Sequence, residues 1–289
     1  MGKGDMSEMY LEDIASKLLP FWYSFWHFFI LDNRGFLIMA MIMMICGILT
    51  IFQLSRSKQA AYGKFAEKRE HDKWSFSSRD AWTLQECPSL IIPAFFLVYY
   101  IKTASYTATL LNFLMVLHYV YRTLYYPQKI TSNNKSPLYI VICAAIFCAF
   151  NGYMQGGYNA WHQTPIETNS QIVFAVVGIL VFFIGMAIHI SHDNILLNLR
   201  KVNGEGYHIP EGLLFKYVSC PNYFGEILQW FGYWLISPSY VKIAFLVFTC
   251  CNLVPRAKAT HFWYKQTFSK ENKKPIYPAE RCVIIPKLL

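Results

Sequence analysis

The chain has 289 residues, of which 55% are apolar, 18% aromatic and only 15% charged, with a formal net charge of +9. Soluble domains carry roughly 25% charge, so this balance excludes an ordinary soluble protein and points to an integral membrane protein of one domain. The basic excess is spread through loops between apolar runs, which argues against a nucleic-acid partner and for a charge-sorted membrane topology.

The N-terminal MGKGDMSEMYLEDIASK mixes both charge signs without a basic stretch ahead of an apolar core, so it does not read as a signal peptide. Met6 stands where a myristoylation motif needs Ser or Thr. Residues 18–31 are apolar and aromatic but short, contain Pro20, and are followed by Asp32-Asn33-Arg34-Gly35. That composition predicts a segment lying at the membrane interface, part of an N-terminal extension over 1–35.

The first span is predicted at 36–54, with six more at about 82–101, 105–126, 138–158, 171–191, 218–237 and 240–254. Pro127, Pro137, Pro165, Pro238 and Pro255 mark segment ends, and Asn203-Gly204 is a turn signal. Lys and Arg concentrate in 55–79, 122–137, 192–217 and the tail after 254, whereas 159–170 has neither. An odd number of spans puts all four basic segments on one side. The expected fold is therefore an all-α membrane protein with seven transmembrane helices, N-terminus outside and C-terminus cytoplasmic.

Eight cysteines are present, none in a C-x-x-C, and most lie in apolar runs. Buried free thiols are the expected state.

Three polar constellations interrupt the apolar pattern. After Gly185 the chain meets His189, His192, Asp193, Asn194, Asn198, Arg200 and Lys201. His189, His192 and Asp193 share a helix face, as metal ligands would, but the other histidines are scattered singly and no further histidine box exists. Metal is not the expected ligand. Asn222, Glu226 and Trp230 follow at i, i+4 and i+8 on the next span. Polar groups in hydrocarbon need a partner, water or a ligand, and so many at the ends of two adjoining spans predict a lined cavity open to the cytoplasm. The third group is Glu86, at the start of the second span, with His118, Tyr119 and Arg122 near the end of the third. A glutamate withdrawn from water tends to keep its proton and a phenol is protonated at neutral pH. Together they have the chemistry to donate hydrogen bonds to a carbonyl gaining negative charge. Nothing in the sequence brings Glu86 and Tyr119 together, and no G-x-G-x-x-G or P-loop is present.

The same residues carry a family likeness. Ile188 to Pro210 with GLLFKYVSCPNYFGEILQWFGYWLIS, TLQECPS with Pro93 behind it, HYVYRTLYY, FNGYMQGGY, and RAKATHFWY with IIP near the end resemble, in order, the steroid 5α-reductases (3-oxo-5α-steroid 4-dehydrogenases). The likeness covers about residues 60–289, and the catalytic domain is placed at 36–289. It implies a seven-helix enzyme that uses NADPH to reduce a carbon–carbon double bond conjugated to a ketone. Tyr119 and Glu86 would hydrogen-bond the ketone oxygen while hydride reaches C5 of a 3-oxo-Δ4-steroid. Tyr62 and Trp82 would lie near the steroid. The positions implied for the cofactor are Arg122, His189, Asp193, Arg200, Tyr207, Asn222, Glu226, Trp230, Arg256, His261 and Tyr264. A lipophilic, steroid-like enone and membrane lipid are the implied partners. Related reductases of trans-2-enoyl-CoA, polyprenal or another sterol share this chemistry. A transporter or receptor with a polar vestibule is the reading from another class.

Overall fold

The computed structural model describes Pro20, Phe28 and residues 32–56, 74–131, 134–203, 206–269 and 275–285, with backbone alone at 200–203. The interfacial segment expected at 18–31 (apart from Pro20 and Phe28), Tyr62 and the side chain of Arg200 lie outside the described residues.

Seven α-helices run through the described residues: α1 Asn33–Arg56, α2 Ser78–Tyr100, α3 Tyr106–Val120, α4 Leu138–His162, α5 Asn169–Asn203, α6 Pro221–Ile236 and α7 Tyr240–Thr267. Five of them (α1, α2, α4, α5 and α7) are long and apolar enough to cross a membrane. At 15 and 16 residues, α3 and α6 are about 22 and 24 Å long, short of the ~20 residues a span needs. The outward faces carry large apolar side chains, among them Ile45, Leu49, Ile91, Val98, Val173 and Leu180, each exposed in the bundle alone. Lipid is the solvent that tolerates such a surface.

Local chemistry sets the helix ends. Ser77 caps α2 by accepting from the Asp80 N–H at 3.1 Å, and Ser105 caps α3 by accepting from Ala108 at 3.1 Å. Beyond Val120 the chain opens into one π turn, Tyr121–Tyr125, closed by the Tyr126 N–H donating to the Tyr121 carbonyl at 2.8 Å. The loops flanking α2 and α4 meet as a two-stranded antiparallel ribbon, β1 Ser75–Ser77 with β2 Lys135–Pro137. Strands so short leave no periodic signature in the sequence.

Two expected boundaries are corrected. α5 runs to Asn203, well past the expected end at 191, because its polar turns are hydrogen-bonded to α6 and the following loop. α7 passes through Pro255 and ends at Thr267. Asn252 and Arg256 bridge the proline by a 2.7 Å side-chain bond, and Ala257, Thr260, His261 and Tyr264 give the distal half a buried face. Pro88 and Pro93 likewise sit inside α2.

The tightest seam joins α5 to α6. Gly178 faces Gly232 and Gly185 faces Gly225, so the two antiparallel backbones touch. A Cβ on Gly185 would fall 2.3 Å from the Gln229 nitrogen, and one on Gly225 would fall 2.5 Å from the His189 nitrogen. This contact sets the polar face of α5 beside that of α6. The C-terminal segment 275–285 folds back to the start of α6, where Cys282 donates to Tyr217 at 2.9 Å and accepts from Ser219 at 2.9 Å.

Candidate functional site

A cavity of about 600 Å³ opens among α2, α3, α4, α5, α6 and α7 and is bordered by Gly206, Tyr207 and His208. Its volume lies in the range of small-molecule sites. Phe147, Phe245, Phe248, Ala144 and Leu253 make one wall apolar, while Glu86, Arg122, Asp193, Asn222 and Glu226 make the other polar.

Arg122 stands at the centre of the polar wall. Its guanidinium lies 3.6 Å from Glu86 on α2 and 3.6 Å from Asp193 on α5. The same group sits over the rings of Trp82, at 4.6 Å, and Tyr126, at 5.0 Å, a geometry that favours Arg over Lys. The π turn supplies both Arg122 and the bond that fixes Tyr126. Asp193 accepts a 3.0 Å bond from the Asn222 amide. His189, one turn earlier on α5, brings Nε2 to 3.4 Å from Asp193 and Nδ1 to 3.8 Å from Glu226, and Nδ1 lies 3.2 Å from the Asn222 carbonyl. Three acidic side chains thus gather around one guanidinium and one imidazole. Such a buried group is balanced by further donors, or by a proton kept on one of the acids.

His118 lines the cavity beside Tyr119, and its Nδ1 is tied to Gln229 on α6 at 3.1 Å. Tyr119 and Glu86 both line the same cavity. The sequence could not place those two groups together; the packing of α2 on α3 does.

Of the residues singled out from the sequence, Trp82, Glu86, Tyr119, Arg122, His189, Asp193, Tyr207, Asn222, Glu226, Arg256 and Tyr264 all line the cavity. Trp230 does not. It is 1% exposed and packs behind the wall, edge-on to His118 at 4.6 Å and to Phe245 at 4.8 Å. His261 also stays outside the lining, with Nδ1 2.7 Å from the Ser219 hydroxyl. His192, whose spacing first evoked a metal, is occupied otherwise. Its Nδ1 donates to the Ile188 carbonyl at 2.6 Å, and Nε2 accepts from the Leu214 N–H at 3.1 Å. These bonds fix one neutral tautomer and pin the loop after α5. Sequence reading missed Gln85, Tyr126, Asn252 and Trp263, which also line the cavity. Asn252 and Trp263 would have emerged from helical spacing around Arg256 had the helix been carried through Pro255.

Whether these residues suit a dinucleotide can be tested on their unmet hydrogen bonds. Trp82 Nε1 and His208 Nε2 are buried without a hydrogen-bond partner, while His189 Nε2 and Asp193 Oδ2 make no hydrogen bond but face each other at 3.4 Å, with Arg122 3.6 Å from Asp193; all four residues line the cavity. Orphaned buried donors and acceptors call for a polar partner. With Arg256 for a phosphate and Tyr207, Trp263 and Tyr264 for flat rings, the set fits a phosphorylated, aromatic, hydrogen-bonding ligand. The apolar wall fits a lipophilic one.

Fold and cavity together define a helical membrane protein with a composite site, polar on one side and greasy on the other. Comparison with known proteins narrows the class. Residues 134–289 match the family described as 3-oxo-5-alpha-steroid 4-dehydrogenase. The chain is 36% identical over 236 residues to 3-oxo-5-alpha-steroid 4-dehydrogenase 1 of Bos taurus, covering 79% of this chain and 87% of that protein. It is 34% identical over 239 residues to a steroid 5-alpha-reductase of Gossypium hirsutum, covering 79% and 88%. The human 3-oxo-5-alpha-steroid 4-dehydrogenase 1 is 36% identical over 242 residues, covering 82% and 90%. The chain belongs to the 3-oxo-5-alpha-steroid 4-dehydrogenase family.

Proposed function

We propose that the protein reduces the C4–C5 double bond of a 3-oxo-Δ4-steroid with NADPH, adding hydride to C5 and a proton to C4. The observation that carries this reading is the composite cavity, where Glu86 and Tyr119 share a chamber with the Arg122–Asp193–His189 cluster. Family membership supplies the substrate class, because relatives of this length and identity are named for acting on 3-oxo-steroids.

A reduced nicotinamide, when bound, would supply the hydride. Asp193, Asn222, His189 and Glu226 are the residues offered to its polar groups, and Arg256, Tyr207 and Tyr264 to the phosphates and adenosine beyond. Arg122 has the fork of donors a cofactor phosphate needs, and from 3.6 Å it also orients Glu86 and Asp193. Tyr119 and Glu86, the latter as its neutral carboxylic acid, donate hydrogen bonds to the ketone oxygen, where an enolate gathers charge as C5 is reduced. Donors of that kind are worth roughly 3 kcal/mol each at a developing oxyanion. Phe147, Phe245 and Phe248 exclude water from the reacting carbons and hold the hydrocarbon skeleton. Trp230 supports the site from behind through His118.

The seven helices are read as seven spans, with α3 extended by its π turn and α6 shortened against its neighbours. The basic connections and the cavity mouth then face the cytoplasm, in the endoplasmic reticulum membrane of a eukaryote or the inner membrane of a bacterium. Purified protein given NADPH and testosterone or progesterone yields the 5α-reduced product under this reading. Full activity in both Tyr119→Phe and Glu86→Gln would remove those groups from the chemistry.

A further inference from the structure

Arg281, far along the chain from every residue assigned above, is 7% exposed. No carboxylate pairs with it among the described residues, and its Nε lacks a hydrogen-bond partner. A buried guanidinium so placed is costly unless its position accomplishes something. Its Nη1 donates at 2.9 Å to the carbonyl of Pro210, within the segment that borders the cavity, and the side chain also hydrogen-bonds the Tyr277 phenol. Its guanidinium also lies 5.2 Å over the ring of Tyr277.

Tyr277 carries the contact onward. Its ring stacks on Tyr264, 5.2 Å away and 3° from parallel, and Tyr264 lines the cavity. Burial raises the Tyr277 phenol above its ordinary range, so it keeps its proton, and its hydroxyl lies 2.7 Å from that of Ser219. Segment 206–216, which offers Tyr207 and His208 to the cavity, has little secondary structure beyond a single 3-10 turn at Leu213–Lys216. Its contacts include Tyr207 against Trp263 at 4.8 Å, Ile209 on the Tyr264–Phe268–Tyr277 cluster, Pro210 held by Arg281, Leu214 held by His192 and Phe215 against the His192 ring. Gly206 and Gly212 take positive φ (110° and 94°), which glycine allows, whereas the positive φ of Leu213 (44°) is one that a residue with a side chain rarely adopts.

We propose that Arg281 is a positioning residue: it latches the C-terminal segment over residues 206–216 and so holds Tyr207, His208 and Tyr264 in register at the cofactor end of the cavity. The cofactor part of this rests on the function proposed above; the latch itself does not.

Hydrogen exchange of the full-length protein without added nucleotide tests the latch, comparing wild type with Arg281→Met and Arg281→Lys. Loss of a charge-assisted bond should speed exchange of the 206–216 amides about tenfold, with α5 and α6 unchanged and the Lys variant between the two. Tyr277→Leu, which keeps the Pro210 bond but removes both ring contacts and the phenol's bonds to Ser219 and Arg281, should give the same pattern more weakly and serves if Arg281→Met does not fold. Tryptophan-fluorescence titration with NADPH should then show the Kd raised about tenfold in Arg281→Met, while kcat at saturating NADPH and the KM for steroid stay near wild type. Unchanged exchange at 206–216, or faster exchange spread over the whole bundle, overturns the latch. Faster local exchange with an unchanged NADPH Kd overturns the positioning role. Faster local exchange in a protein whose wild type binds no NADPH leaves the latch standing and removes the function proposed above.

Discussion

Gly225→Ala tests the seam on which the polar wall is built. The added Cβ would lie 2.5 Å from the His189 nitrogen and 2.8 Å from the Gly185 carbonyl oxygen, both backbone atoms that no rotamer change can move. Ordinary contact begins near 3.4 Å, so α6 must retreat from α5 by about 3.4 − 2.5 = 0.9 Å. That retreat stretches the 3.0 Å bond from Asn222 to Asp193 to about 3.9 Å, beyond hydrogen-bonding range. A lost bond to a charged group is worth ~1.5–3 kcal/mol and overpacking adds ~1–3 kcal/mol. At about 3 kcal/mol the thermal midpoint should fall roughly 6–12 °C, followed by intrinsic fluorescence in detergent. Gly47→Ala is the control, since its Cβ would meet Phe248 and Cys251 at 3.4 and 3.5 Å, ordinary contact. If both variants unfold within about 2 °C of one another, α5 and α6 do not touch as described and the geometry of the polar wall fails with them.

Further substitutions separate chemistry from support. Glu86→Gln and Tyr119→Phe should each lower kcat by roughly 10²–10³ with little change in the Kd for NADPH, read by single-turnover kinetics beside a binding titration. Arg122→Met takes from Glu86 and Asp193 the cation they share and should cost ~3–5 kcal/mol. Adding Glu86→Gln to it should recover part of that loss in a thermal melt. Lys242 is 1% exposed, with its ammonium on Gln163 and Ser239 and no carboxylate partner among the described residues. Lys242→Met removes a buried charge that lacks an ionic partner and should leave the midpoint of a thermal melt unchanged or raise it.

The sequence made some of this legible and hid the rest for identifiable reasons. Apolar length revealed the helices, and the intrusion of Asp193, Asn222 and Glu226 into apolar runs revealed which ends face a cavity, because polar groups in hydrocarbon are conspicuous. Composition could not show where α5 ends. The backbone stays helical after its side chains turn polar, since His192 and Asp193 find partners in the next loop and in α6. Pro255 was read as a stop, yet a helix tolerates one proline where the flanking side chains and the buried distal face hold it. The reciprocal glycines of α5 and α6 look unremarkable singly and acquire meaning only once the two helices face each other. Trp230 shares a helical stripe with Asn222 and Glu226, but that stripe passes from cavity wall to core within two turns. Spacing alone cannot register such a change. Arg281 gave no sequence signal at all, as its partner is a backbone carbonyl.

The most direct measurement follows isotope through a single turnover of the purified protein. With NADPH deuterated at the transferring position of the nicotinamide, testosterone should yield 5α-product carrying one deuterium at C5. With unlabelled NADPH in heavy water, the label should appear at C4 instead. Product without deuterium at C5, or no consumption of NADPH with any 3-oxo-Δ4-steroid, would contradict the proposed reduction, leaving the fold and family membership intact.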